Sequence, residues 1–305
     1  MSDIAIEPYE PSEADEVLAV INDAFEVPRS SEWFQWKHLD APWGPSRGVI
    51  ARDEQGMVGV RLLLPWKFVV DGEPLLAYRA VEASTMGRAQ GQGIFSRLNR
   101  ALMEELSQRD PSSFLFSTPN QLSRNGYRKL GWTWLEPVAH SYRPTPRRRS
   151  TSDTEFVDGD GALHTYQEPE DGSELLRTAW DEDSLRWRID IRTGNDYRVL
   201  AASNTSGSGG VAYRIIEVAR RRAILVVHRW GNEELISLAL AEVGRQERVR
   251  MLLDVETTGP RPKLAFRKGE SLLTTWTPRE PAGVRGAVHD SARWQTTFAD
   301  LESVL

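Results

Sequence analysis

The sequence predicts an α/β protein with mixed sheets, built as two similar domains, and three observations carry that reading. The chain has 305 residues, the length of about two ordinary domains. β-rich runs alternate with amphipathic helical stretches along its whole length. The order of helix, hairpin strands, helix and strand in the first half returns in the second, by pattern rather than by repeated sequence.

In the first half, Ile4-Ala5-Ile6-Glu7-Pro8 reads as a short strand. Ser12 then caps a helix whose stripe is Val17, Leu18, Ile21 and Phe25. A second short helix over 30–39 carries Trp33, Trp36 and His38, and Pro42-Trp43-Gly44-Pro45 forces a loop. The runs 48–52 and 57–70 flank Asp53-Glu54-Gln55-Gly56 and form a hairpin. Asp71-Gly72-Glu73 turns the chain into a strand over 75–86. After a glycine-rich stretch comes a helix over 94–108, with Leu98, Ala101, Leu102 and Leu106 on one face. A buried strand over 113–117, a helix over 120–129 and closing strands over 133–138 and 140–143 complete a domain of residues 1–143.

Periodicity disappears over 144–161, where Pro144, Pro146 and Arg147-Arg148-Arg149 precede a Ser/Thr/Asp/Gly-rich stretch, so these residues read as a linker. The second domain, 162–305, predicts a helix over 171–189 and strands over 197–202, 209–218 and 222–230. A helix over 233–246 and strands over 249–255, 271–277 and 294–298 follow.

Composition narrows the function classes. With 40% hydrophobic and 27% charged residues, either half can bury a core, which excludes disorder. A net charge of −6 argues against a nucleic-acid binder and suits a cationic substrate such as an amine. The chain has no cysteine, which removes disulfides, thiolate metal sites and a cysteine-borne acyl intermediate. His38, His140 and His164 lack metal-ligand spacing, so no metal is expected. The acidic start is unlike a signal peptide and the apolar runs are strand-sized, so the expectation is a cytoplasmic chain with no membrane span.

Two stretches carry chemistry. Residues 78–98 read as strand, glycine-rich turn and helix start, with Gln90-Gly91-Gln92-Gly93-Ile94-Phe95 at the turn. Free N–H groups at a helix start bind anions, and glycines let the backbone approach closely, so a pyrophosphate is the expected guest. The pattern is not a P-loop, because no Gly-Lys-Ser/Thr follows. A nucleotide-binding loop of another family remains an alternative on this stretch alone. The second stretch runs from Asn120 to Trp132, with Ser123 and Tyr127 one helical turn apart and Gly131 ending the helix.

Together the two stretches resemble the GNAT superfamily of N-acyltransferases. Its phosphate loop, Gln/Arg-x-x-Gly-x-Gly/Ala, is matched at Gln90 and Gly93 and departed from at Phe95. Its second motif is matched at Asn120, Ser123, Tyr127 and Gly131-Trp132. The resemblance covers residues 1–143. It implies the GNAT fold, with acetyl-CoA as acyl donor and direct transfer of an acetyl or other short acyl group to a primary amine on a small molecule. The pantetheine arm would lie between the strand ending at Met86 and the one beginning at Phe114, against backbone groups of Ser84, Thr85 and Met86. Gln90, Gly91, Gln92, Gly93, Ile94 and Phe95 would hold the pyrophosphate, and Asn120 would shape the cleft. Tyr127 would protonate the departing thiolate and Glu82 would take the amine proton, directly or through water.

Other readings stay open at this point. The chain could be an acyl-CoA sensor that retains the fold without turnover, and it could form a homo-oligomer. Trp33, Trp36, Trp43 and Trp66 could line an acceptor pocket or simply pack. In the second half no glycine-rich loop precedes the helix over 233–246, and Glu233 and Glu234 stand at its start. The second domain therefore resembles a degenerate GNAT copy that does not hold CoA, as in tandem-domain acetyltransferases, with the terminal carboxylate of Leu305 as an alternative base.

Overall fold

The computed structural model describes residues 4–25, 27–168, 174–255, 266–279 and 283–301. The chain divides into two compact units, one formed by residues 1–136 with 272–293, the other by residues 137–271 with 294–304.

The first unit begins with β1 (Ala5–Pro8) and α1 (Ala14–Ala24). A short α2 (Ser31–Phe34), capped by the Ser30 hydroxyl on the Trp33 amide, widens into a π turn over Gln35–Leu39. There follow β2 (Arg47–Asp53), β3 (Gly56–Val70), β4 (Glu73–Thr85), α3 (Ile94–Arg109), β5 (Phe114–Ser117), α4 (Arg124–Lys129) and β6 (Thr133–Trp134). The sheet runs β1-β2-β3-β4-β5, then the strand Thr274–Trp276, then β6. β1 to β4 are antiparallel neighbours, β4 and β5 are parallel, and Thr274–Trp276 is antiparallel to both strands it separates. Ile94, Leu98, Leu102 and Leu106 of α3 pack on Val49, Leu63, Tyr78, Ala80 and Leu115. Since side chains alternate along a strand, Leu62, Leu64 and Trp66 turn to the opposite face, where α1 approaches β3 and β4. Cover on both faces explains why β3 reads as an almost unbroken apolar run.

The second unit contains β7 (Val138–Pro144), β8 (Glu155–Asp158), α5 (Gly159–Leu163), β9 (Leu176–Thr178) and α6 (Glu182–Arg188). It continues with β10 (Arg198–Asn204), β11 (Gly207–Val218), β12 (Arg221–Gly231), α7 (Glu233–Gln246), β13 (Met251–Val255) and β14 (Phe266–Ser271). Its sheet runs β8-β10-β11-β12-β13-β7-β14. This is the first unit's arrangement again: a long hairpin, a parallel pair, and one antiparallel strand inserted between the last two. Both hairpins carry a bulge at the same place. In the first, Val60 faces Ser84 and Leu62 faces Val81, so Arg61 meets both Glu82 and Ala83. In the second, Ala212 faces His228 and Tyr213 faces Val226, leaving Val227 as the extra residue.

Several elements depart from the sequence reading. The stretch 144–161 is not structureless: β8 pairs with β10 and α5 follows it. As a short edge strand, β8 keeps Glu155 and Asp158 exposed and gives no clear periodicity. The described part of 171–189 is a strand and a short helix, because Asp181 and Ser184 form a capping box that starts α6 only there. β14 ends at Ser271, and Thr274–Trp276 belongs to the other unit's sheet. Trp294–Gln295 is a strand, and residues 298–301 turn helical.

Candidate active site

The site of the first unit begins where β4 and β5 part. They pair only over Ala77–Arg79 and Phe114–Phe116, after which a Ser117 hydroxyl bond to the Ala80 carbonyl, at 3.3 Å, is the link between them. From there to Thr85 the β4 edge has no ladder partner among the described residues, so the two strands open a cleft. The bulge sits on that edge, with Glu82 in the left-handed region at φ 46°.

Beyond β4 the chain makes the glycine turn. Gly91 and Gly93 have φ of 80° and 73°, and a Cβ on either would meet nothing within 4 Å. The turn is thus an open cradle. Gly93 caps α3 without a side chain, and the first turn of α3 holds no acidic residue, so its N–H groups keep their attraction for an anion. Gln90 donates from Nε2 to the Thr85 carbonyl at 3.4 Å, tying the cradle to the strand end.

Phe95, the departure from the family pattern, is accommodated by Gly126. A Cβ at Gly126 would stand 2.3 Å from the Phe95 ring, which therefore lies on the backbone of α4. The same ring meets Tyr127 edge-on, with centroids 5.9 Å apart. Its bulk is spent in the core and leaves the N–H groups of the cradle open.

Tyr127 is buried on α4. Its hydroxyl accepts from Arg61 Nη2 and donates to Ser117 Oγ at 3.2 Å. Arg61, 2% exposed, also donates from Nε to Asn99 Oδ1 and from Nη1 to the Val81 carbonyl, both at 3.2 Å. Asn99 in turn donates to the Phe95 carbonyl at 2.7 Å. One buried cation therefore ties the phenol to α3 and to both strands at the bulge.

Glu82 turns toward the π turn after α2. Its carboxylate pairs with Lys37 Nζ, and its Oε1 lies 3.9 Å from His38 Nε2. All three side chains are at least 90% buried. Burial lowers the Lys37 pKa, and the adjacent carboxylate partly offsets that. Burial, reinforced by the Lys37 charge, holds His38 well below the usual imidazole value. His38 Nδ1 shares a hydrogen bond with Ser46 Oγ at 2.9 Å, and its buried Nε2 has no hydrogen-bond partner.

The remaining candidate residues separate by backbone commitments. Ser84 Oγ is buried without a hydrogen-bond partner. The Thr85 carbonyl accepts from Gln90. The Met86 N–H donates to the Val58 carbonyl and its own carbonyl accepts from the Ala89 N–H, both at 2.9 Å. Asn120 is exposed and accepts from the Ser123 N–H and hydroxyl at 3.0 Å, which makes it the residue that shapes the start of α4. Among the tryptophans, Trp36 and Trp66 have no exposed surface, and Trp66 packs on Trp43 and Phe116 with centroids 4.9 and 5.8 Å away. Leu305 lies outside the described residues.

Arg61, Lys37, Asn99 and Ser117 were not among the expected site residues. Arg61 carries the only available signal, an arginine inside the apolar run from Val58 to Leu64. The glycine cradle and the start of α3, with no side-chain cap and no acidic residue, fit a pyrophosphate such as that of CoA. In the second unit, by contrast, Asn232 Oδ1 accepts from the N–H groups of Glu234 and Leu235 at 2.9 and 3.3 Å, so the start of α7 is already capped.

Residues 5–135 match the family model described as the acetyltransferase (GNAT) domain. No curated protein matches the chain. Among solved structures, a conserved protein of unknown function from Enterococcus faecalis, a probable N-acyltransferase, is similar with a TM-score of 0.72 at 12% identity, over 91% of this chain and 73% of that one. A GCN5-related N-acetyltransferase from Kribbella flavida is similar with a TM-score of 0.69 at 14% identity, over 90% and 71%. A tandem GNAT protein from the clavulanic acid biosynthesis pathway is similar with a TM-score of 0.55 at 13% identity, over 92% and 100%. Residues 5–135 thus match the GNAT acetyltransferase domain, and the fold is that of the GNAT acetyltransferase structures to which the chain is similar.

Proposed function

We propose that the first unit transfers an acetyl, or another short acyl, group from CoA to a primary amine by direct attack of the amine on the thioester. The observation that carries this is the Arg61-bound phenol of Tyr127, buried beside an open cleft that ends in the glycine cradle. Gln90 to Phe95 bind the pyrophosphate through the cradle and the start of α3. Backbone groups of Ser84, Thr85 and Met86, at the unpaired end of β4, receive the pantetheine arm.

The chemistry then needs three things: removal of an amine proton, transfer of the acyl group, and protonation of a thiolate. Glu82 takes the amine proton, directly or through water, from its place beside Lys37. The amine nitrogen bonds to the thioester carbonyl carbon and the C–S bond breaks. Tyr127 protonates the leaving sulfur, and Arg61 holds the phenolate until a proton returns along Ser117. No acyl-enzyme on cysteine is available. Holding both substrates in one cleft supplies much of the rate by proximity. The second unit, with α7 capped by Asn232 and preceded by no glycine cradle, does not bind CoA in this reading.

Calorimetric titration with acetyl-CoA tests the cofactor, and thiol release in the presence of primary amines tests the reaction. Saturable binding with release is the expected result. Absence of any heat with acetyl-CoA overturns the proposal. Binding without release for any amine, in both the native chain and Tyr127→Phe, selects the sensor reading.

A further inference from the structure

The second unit contains a cavity of about 440 Å³ that the acyl-transfer reading does not use. It lies at the end of β12 and the start of α7, in the same place in its unit as the β4–α3 cradle in the first. Its size falls within the range of small-molecule sites. The Asn232 cap and the carboxylates of Glu233 and Glu234 make that helix start a poor seat for a phosphate.

Four rings form one wall. His228 is nearly parallel to Tyr166 and to Trp230, at interplanar angles of 23° and 22°, the three rings standing 5.7 to 6.5 Å from one another, and Trp180 leans on His228 at 6.0 Å. Hydrogen bonds fix two of them, Tyr166 to the Trp180 carbonyl at 2.9 Å and Trp230 Nε1 to Thr165 Oγ1 at 3.2 Å. Burial and Arg229 depress the His228 pKa to about 3, so this ring is neutral at pH 7 and adds no positive charge to the wall. Arg229 is itself paired with Asp254 at 3.5 Å. The cavity is lined by the carboxylates of Glu168, Glu233 and Asp300 against the guanidinium groups of Arg177 and the Asp254-paired Arg229. At the mouth, Glu168 and Glu233 line the cavity and form no ion pair among the described residues.

We propose that this cavity binds a small organic ammonium ion, its cationic head against the wall of Tyr166, Trp180 and Trp230 and within the field of Glu168 and Glu233. Aromatic faces attract such cations through their quadrupoles, and the attraction grows as the cation loses water. The surplus of carboxylates selects cation over anion by the same sign. The site is independent of the CoA cradle and does not rest on the acyl-transfer reading.

The test is calorimetry of the full chain with phenethylammonium and, as its anionic counterpart of similar shape, 3-phenylpropionate. Phenethylammonium binds saturably and 3-phenylpropionate does not. Glu168→Gln with Glu233→Gln, both exposed and tolerant of change, weakens the cation by about three- to tenfold. Trp180→Leu abolishes binding. Glu82→Gln, in the other unit, leaves it unchanged, which separates this site from any amine bound near the catalytic residues. The proposal is overturned by equal or tighter binding of 3-phenylpropionate. It is equally overturned by no saturable heat with phenethylammonium, or by loss of that heat in Glu82→Gln but not in the Glu168/Glu233 pair.

Discussion

The guanidinium of Arg61 donates to the phenolic oxygen of Tyr127, joining the residue opposite the β4 bulge to the proposed acid on α4. The phenol's own hydrogen is thereby directed at Ser117. Tyr127→Phe should lower kcat for acyl transfer by about 10²-fold, the usual worth of a general acid, with little change in acetyl-CoA affinity. Arg61→Met strips donors from Tyr127, Asn99 and Val81 together, and should cost about 2–4 kcal/mol of stability in addition to rate. Steady-state kinetics and urea denaturation separate the two effects.

Phe95 and Gly126 form a second coupled pair. Gly126→Ala places a methyl 2.3 Å from the Phe95 ring and should destabilise by about 1–3 kcal/mol. Phe95→Ala alone leaves a cavity. The double variant should lose less than the sum of the two, by denaturant midpoints in a double-mutant cycle. Additive losses would contradict the contact.

The Lys37–Glu82 pair predicts a split between stability and rate. Lys37→Met leaves a carboxylate buried without its cation and should cost about 3–5 kcal/mol. Glu82→Gln should cost less, because burial already favours neutral Lys37. Combining Lys37→Met with Glu82→Gln should restore most of the stability and none of the transfer rate. Recovery of rate in that double variant would remove Glu82 from the mechanism.

Gly93 tests the cradle. At φ 73° a β-branched residue is strained by about 1–2 kcal/mol, yet no atom stands within 4 Å of the new Cβ. Gly93→Val should therefore fold, and should bind acetyl-CoA more weakly because its side chain fills the space kept for the pyrophosphate. A thermal shift with acetyl-CoA equal to that of the native chain would contradict this.

Acid should destabilise the chain through its buried histidines. The folded value of His228, about 3, lies below its unfolded value of 6.5, so the unfolded state binds more protons between them. Its stabilising contribution is complete above pH 6.5 and is lost as the pH falls toward 3, by about 1.4 kcal/mol per pH unit. His38 acts in the same direction. Urea midpoints at pH 7.5, 6.0 and 5.0 should fall steadily, and His228→Gln should make the fall shallower without abolishing it.

Local chemistry was readable in the sequence. The alternation and length of β3 and β4, the Asp53 to Gly56 turn, the amphipathic α3 and the Gln90 to Gly93 cradle all depend on residues near one another in the chain. So did the contrast between the two helix starts, Gly93 against Asn232 with Glu233 and Glu234, because capping is settled within four residues.

Only the tertiary structure decided which distant residues meet. Thr274–Trp276 enters the first sheet and Val138–Pro144 the second, since a short strand joins whichever unsatisfied edge its backbone can pair with, wherever it lies in the chain. Arg61 reaches Tyr127 across 66 positions, and Lys37 reaches Glu82 across 45. Local periodicity does not encode such pairs. They are selected because a buried charge is tolerated only with a partner in reach, and reach is set by the folded sheet.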